Sequence, residues 1–288
     1  MSGIPKLPNF FIVGAPKAGT TSLYAYLGQH PQVYTSAIKE PSYFAPELCR
    51  ENFIFNWEGY LRLYGNVSDE IAIGEATASY LWSETAARNI AARFPHARII
   101  INLRNPVDRA FSQYLQMLTD GVTRKSFREQ IDASLRCSNK EFGLLWPFLE
   151  LGRYYEQIKR YFGEFPRSQI HISYYEDLEQ APGRLMADLF AFLGVDPGFV
   201  PDVSYRHNEP RIVRFTGAAY FLKKCRVWPY LRNIAPRPLG PRVRSLMLRS
   251  RTSLQMESAD RAYLSDYYRD DIEKLATLLD HDLTAWLD

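Results

Sequence analysis

Residues Phe10 to Leu27 read FFIVGAPKAGTTSLYAYL, and this stretch decides the fold. Its apolar start, Phe10-Phe11-Ile12-Val13, predicts a short buried strand. The chain then breaks into Gly14-Ala15-Pro16-Lys17-Ala18-Gly19. It resumes as a helix from Thr20, with Leu23 and Leu27 at helical spacing and Gly28 as the stop. Strand, glycine loop and helix start together present backbone N–H groups and a positive dipole end to a phosphate. Gly14 and Gly19 have the spacing of a nucleoside-triphosphatase loop. Thr20, however, stands where the lysine that reaches the β- and γ-phosphates belongs, and the only lysine, Lys17, lies inside the loop. The loop is therefore expected to hold one phosphate and a neighbouring group without a metal. The plainer alternative is a tight strand–helix turn.

Working outward, Arg98-Ile99-Ile100-Ile101-Asn102-Leu103 is the clearest strand, a near-continuous apolar run of the kind buried on both faces. It ends on Arg104 and continues Asn105-Pro106-Val107-Asp108-Arg109-Ala110-Phe111-Ser112. Asn105 suits an N-cap, Pro106 the first helical position, and Asp108 the third position of a capping box. Arg104 at the strand tip and Ser112 two turns into the helix could grip one anion. A metal-organising acid is absent from this strand tip, which argues against metal-assisted phosphoryl transfer. A capped helix with an incidental arginine is the bland reading.

Val33-Tyr34-Thr35 predicts another strand, leading into Lys39-Glu40-Pro41-Ser42-Tyr43-Phe44. Pro41 biases Glu40 towards extended backbone, placing its carboxylate just beyond a strand end, where open α/β sheets bind ligands. The competing reading is a surface carboxylate paired with Lys39. Ile71 to Gly74 predicts a strand that stops before Glu75, with Thr77, Ser79 and Tyr80 following. Helices are expected over Thr85–Phe94, Arg153–Phe162 and Ala181–Leu193, a fifth strand over Gln169–Ser173, and a closing helix over about 258–287 with Leu264, Tyr268, Ile272 and Leu275 on its apolar stripe. Strands alternating with helices point to a parallel sheet in a single domain over residues 1–288.

The 288 residues are 46% hydrophobic and 23% charged, which is ordinary for a globular protein with a full-sized core. No apolar run is long enough to span a membrane and no secretory leader is visible, so a cytoplasmic protein is expected. The three cysteines, Cys49, Cys137 and Cys225, are scattered and read as free thiols, and no metal-ligand spacing is seen. Net charge is +3, yet Arg206 to Arg251 carries twelve Lys/Arg against one acid, Glu209. This Pro-rich segment, about 206–251, suits an anionic acceptor or a membrane surface, and Arg211 near its start suits a phosphate contact. No nucleic-acid motif accompanies it.

Three motifs resemble one family. Pro16-Lys17-Ala18-Gly19-Thr20-Thr21 resembles the loop that holds the 5′-phosphosulfate of 3′-phosphoadenosine 5′-phosphosulfate (PAPS) in sulfotransferases, and Leu103 to Tyr114 resembles their 3′-phosphate motif. Lys39-Glu40-Pro41 through Phe44 is similar to the segment carrying the catalytic glutamate in the glycan-type branch, which includes heparan sulfate sulfotransferases. The resemblance, as to a bacterial member, implies a P-loop-like three-layer α/β fold with a central parallel sheet of about five strands flanked by helices. It implies that Lys17, Ala18, Gly19, Thr20, Thr21 and Ser22 surround the 5′-phosphate, that Arg104, Ser112 and Arg211 contact the donor, and that Lys17 and Glu40 are catalytic. Lys39, Glu75 and Tyr80 are the implied acceptor contacts, on a glycan, a lipid headgroup or a small molecule. Two departures stand out. Ala76 replaces the lysine that commonly follows the glutamate corresponding to Glu75, and the cysteine pair bracketing the donor-covering loop is missing around Arg206 to Arg214. A kinase with a degenerate loop and a non-catalytic anion-binding module are the competing readings.

Overall fold

In the computed structural model of the chain, the described residues are 7–48, 56–136, 147–204 and 254–288, with two short strands, Ile212–Val213 and Leu248–Arg249. Arg211, nearly all of the basic segment and the three cysteines lie outside them.

Five parallel strands, β1 (Phe10–Gly14), β2 (Val33–Thr35), β3 (Ala72–Ala76), β4 (Arg98–Leu103) and β5 (Ile170–Tyr174), lie in the order β2-β3-β1-β4-β5. The helices are α1 (Thr20–Leu27), α2 (Trp57–Leu61), α3 (Ala86–Arg93), α4 (Pro106–Thr119), α5 (Phe127–Arg136), α6 (Tyr154–Glu164), α7 (Tyr175–Gln180), α8 (Pro182–Leu193) and α9 (Ser258–Leu279). Ile212–Val213 and Leu248–Arg249, here β6 and β7, form a separate antiparallel pair. The expected parallel α/β sheet is thus present.

Strand β1 shows why the sheet is sandwiched. Alternate residues of a strand face opposite sides. Phe10 and Ile12 enter one core with Leu23 and Leu27 of α1 and Leu189 of α8, while Phe11 and Val13 enter the other with Ile90 of α3, Ile158 of α6 and Leu264 of α9. All four are wholly buried. Burying each such side chain contributes about 1.5–3 kcal/mol. Gly74 lets β3 approach β1, since a Cβ there would meet the Phe10 carbonyl oxygen at 2.3 Å.

Several sequence boundaries move. Strand β3 continues through Glu75 to Ala76. The closing helix ends at Leu279, where Asp280 turns left-handed (φ 51°), and Asp282 Oδ1 then accepts from the Thr284 N–H at 2.9 Å to start a short 3₁₀ turn, Thr284–Trp286. Asn105 caps α4 as expected, accepting from Val107 N–H at 2.9 Å. Asp108 binds Arg261 of α9 instead of closing a capping box. Helices α5 and α7 had no clear signal in the sequence.

Candidate active site

The carboxyl ends of β1, β3 and β4 converge where the chain switches from one side of β1 to the other, the place where open α/β sheets bind ligands. β1 delivers the glycine loop. Gly19 has φ 83° and caps α1 without a side-chain bond, and a Cβ there would sit 2.5 Å from Leu178 Cδ2, so only glycine fits. The first amides of a helix have no intrahelical acceptor, and here they open onto a loop of small residues. Ala18, Thr20 and Ser22 are buried. Asn102 of β4 fixes the loop from below. Its carbonyl accepts from Ala15 N–H at 2.7 Å, its side-chain amide donates to the Ala18 carbonyl, and Ser173 Oγ donates to its Oδ1 at 2.7 Å.

Arg104 ties the second motif to the first. One guanidinium N–H donates to the Lys17 carbonyl at 3.1 Å, and the group lies over the Tyr175 ring at 4.2 Å. Tyr154 OH donates to the Arg104 carbonyl at 3.0 Å, holding the strand tip. Lys17, with φ 69°, donates through Nζ to Gln116 Oε1 at 2.9 Å. Gln116 is one turn beyond the buried Ser112 on α4, so both share the face turned to the loop. Glu176, beside Arg104, has its carboxyl pushed up by burial, with the Arg104 charge opposing that rise.

On the opposite flank, Glu40 has φ 61°, so it is left-handed where Pro41 led us to expect extended backbone. The turn allows its N–H to donate to the Ala76 carbonyl at 2.8 Å, prolonging the β3 edge. Ala76 is in register with Ile12, two residues before the glycine loop, so the Glu40 backbone meets the sheet close to that loop. Lys39 Nζ donates to Glu40 Oε1 at 3.1 Å, the pairing the bland reading foresaw. Ser42 is also left-handed (φ 59°). Three of the four non-glycine residues with positive φ among the described residues, Lys17, Glu40 and Ser42, therefore line this one site, where such backbone concentrates in functional centres.

Glu75 is within β3, not past its end, and is 0% exposed. Tyr60 OH donates to Oε1 at 2.8 Å, Tyr80 OH to the same oxygen at 3.2 Å, and Thr77 Oγ1 to Oε2 at 2.7 Å. Tyr64 OH donates to the Tyr60 hydroxyl at 2.9 Å. Burial pushes the Glu75 carboxyl up to about 7 against these hydrogen bonds, with the Glu40 charge adding to the rise. The same burial and the Glu75 charge raise Tyr60, Tyr64 and Tyr80.

A glycine loop between the central parallel strand and a helix, with helices on both faces of the sheet, defines a P-loop-like α/β protein. The family is then fixed by comparison. The model of the sulfotransferase domain matches residues 7–204, and the chain belongs to that family, the PAPS-dependent sulfotransferases. Human bifunctional heparan sulfate N-deacetylase/N-sulfotransferase 3 is 30% identical over 298 residues, covering 98% of this chain and 31% of the relative. The human protein numbered 2 in the same series is also 30% identical, with the same coverage. The chain thus spans about a third of the length of these curated relatives. The crystal structure of a sulfotransferase from Alicyclobacillus acidocaldarius is 31% identical, covers 98% of this chain and 100% of its own, and superposes with a TM-score of 0.78. Among the described residues no helix is long and apolar enough to cross a membrane.

Asn102, Gln116, Tyr154 and Tyr175 were not singled out from sequence. Only Asn102 left a signal there, as an amide inside the otherwise apolar run of β4.

Proposed function

We propose that the chain transfers a sulfuryl group from PAPS to an amine or hydroxyl of a glycan-type acceptor. The observation that carries this reading is the hydrogen bond from Arg104 to the Lys17 carbonyl, which brings the two motifs into contact. In this reading Gly19, Thr20, Thr21, Ser22 and the loop amides hold the 5′-phosphate, and Arg104 with Ser112 holds the 3′-phosphate through charge-assisted hydrogen bonds. The acceptor nitrogen or oxygen forms a bond to sulfur as the bond from sulfur to the bridging phosphate oxygen breaks. Glu40 takes the acceptor's proton, and the Lys17 ammonium neutralises the charge left on the departing 3′-phosphoadenosine 5′-phosphate (PAP). Lys39, now paired with Glu40, orients that carboxylate and meets an anionic acceptor. In this reading the Lys17 ammonium and the Arg104 guanidinium, without a metal, offset the developing negative charge.

The relatives' names, N-sulfotransferases of heparan sulfate, favour a glycan amine as the first acceptor to try. Transfer of labelled sulfuryl from PAPS to N-unsubstituted and N-acetylated glycan oligosaccharides, with a chelator present, tests the reading. Transfer that survives the chelator supports it. Tight PAP binding with no transfer to any nucleophile would replace it with a non-catalytic nucleotide binder.

A further inference from the structure

The buried carboxylate of β3 has no part in the proposed chemistry, yet every group bound to it also touches the segment that carries Glu40. Tyr80 OH donates to Glu75 Oε1 and accepts from the Phe44 N–H, both at 3.2 Å. Thr77 Oγ1 donates to Glu75 Oε2 at 2.7 Å and accepts from the Ser42 N–H at 3.5 Å. Tyr60, the third donor, stacks on Tyr43 with ring centroids 4.8 Å apart and meets Phe44 edge-on at 5.3 Å. A hydroxyl has one proton and two lone pairs. With its proton given to Glu75, each of the two relay hydroxyls must turn a lone pair to the backbone amide behind it. The carboxylate therefore sets the direction of both relays.

We propose that Glu75 is a positioning residue: through Thr77 and Tyr80 it clamps the backbone of Ser42 and Phe44 and so fixes where Glu40 stands. The proposal rests on Glu40 acting as the base. Three observations support it over a direct role on the acceptor. Glu75 is wholly buried, both its oxygens are already engaged, and its three donors, Tyr60 from α2 and Thr77 and Tyr80 from the turn after β3, all meet the 42–44 segment. The left-handed turns at Glu40 and Ser42 on either side of Pro41 give the clamp something to hold, since such backbone persists only where its surroundings over-determine it.

The experiment compares Glu75→Gln, Thr77→Val and Tyr80→Phe with the wild-type chain in three measurements: kcat, PAP affinity, and amide hydrogen exchange. Tyr80→Phe keeps the ring and serves if Glu75→Gln fails to fold. A displaced base costs up to about 10²-fold, so kcat should fall by about that factor in Glu75→Gln and less in Tyr80→Phe, with PAP affinity unchanged. Exchange in residues 38–45 should quicken about tenfold while residues 14–27 stay protected, because a buried amide that loses its acceptor opens more readily. The double variant Glu75→Gln/Tyr80→Phe should be little worse than Glu75→Gln alone, as both break the same link. Reduced kcat with unchanged exchange in 38–45 overturns the proposal, because Glu75 would then act on the substrate itself. Wild-type kcat in Glu75→Gln overturns it too. If the wild-type chain moves no sulfuryl group, it is the function reading that fails, and the exchange arm still decides whether the clamp exists.

Discussion

Strands β3 and β4 flank the central strand and invite comparison, for each puts one polar side chain into an otherwise apolar layer. β4 contributes Asn102, which is neutral and bonds the glycine loop directly through Ala15 and Ala18. β3 contributes Glu75, which is ionisable and reaches the Glu40 segment only through intervening hydroxyls. The glycine loop is thus held from β4 by a neutral amide, and the Glu40 segment from β3 by a carboxyl that burial pushes up to about 7.

The largest effect that would sharpen this contrast is at Glu40. General-base catalysis is worth about 10²–10⁴-fold, so Glu40→Gln should lower turnover by that factor and leave PAP affinity unchanged in calorimetry. Comparable loss in both measurements would erase the division between the two flanks. Next comes the pH dependence of stability. Glu75 ionises at about 7 in the folded chain against an ordinary 4.5, so folding favours its neutral form. Its contribution is fully present below pH about 4.5 and is lost as pH rises through about 7, a change of about 3 kcal/mol. Denaturant melts at several pH values should therefore show wild type losing stability across that window relative to Glu75→Gln. Parallel curves would mean that Tyr60, Thr77 and Tyr80 solvate the carboxylate fully and that Glu40 exerts no field on it.

On the donor flank, Arg104→Ala should weaken PAP binding by about 2 kcal/mol, the scale of one charged hydrogen-bonding partner. Adenosine 5′-phosphosulfate, which lacks the 3′-phosphate, should be unaffected, and equal losses for both ligands would remove Arg104 from the 3′-phosphate. The smallest effect is expected from Asn102→Ala, about 1–2 kcal/mol in stability with a modest loss of PAP affinity, at every pH between 5 and 8. A pH-dependent loss there would break the comparison.

How much of this was legible beforehand varied along the chain. The strand–loop–helix of Phe10 to Leu27 and the capped helix after Arg104 were readable because strand pattern, glycine spacing and cap chemistry all act within a few residues. Glu75 was misplaced because an acidic residue after Gly74 looks like a strand end. It stays in the strand because tyrosines from α2 and from the turn after β3 supply hydroxyls that no local pattern announces. Pro41 correctly kept Glu40 out of a right-handed helix, but the left-handed turn depends on a carbonyl at Ala76, 36 positions further along the chain.

The sequence by itself determined the class: a two-faced apolar strand, a loop too poor in lysine for a triphosphatase, an arginine where a metal site would carry an acid. Those are short-range facts of residue type and spacing, and they survive folding unchanged. Only the tertiary structure decided which polar residues hold the loops at the sheet's carboxyl edge, because Asn102, Gln116, Tyr154, Tyr175 and Glu75 find their partners far away in the chain. A buried polar group costs free energy unless it is satisfied, and what satisfies it can be read only once the sheet has brought the distant segments together.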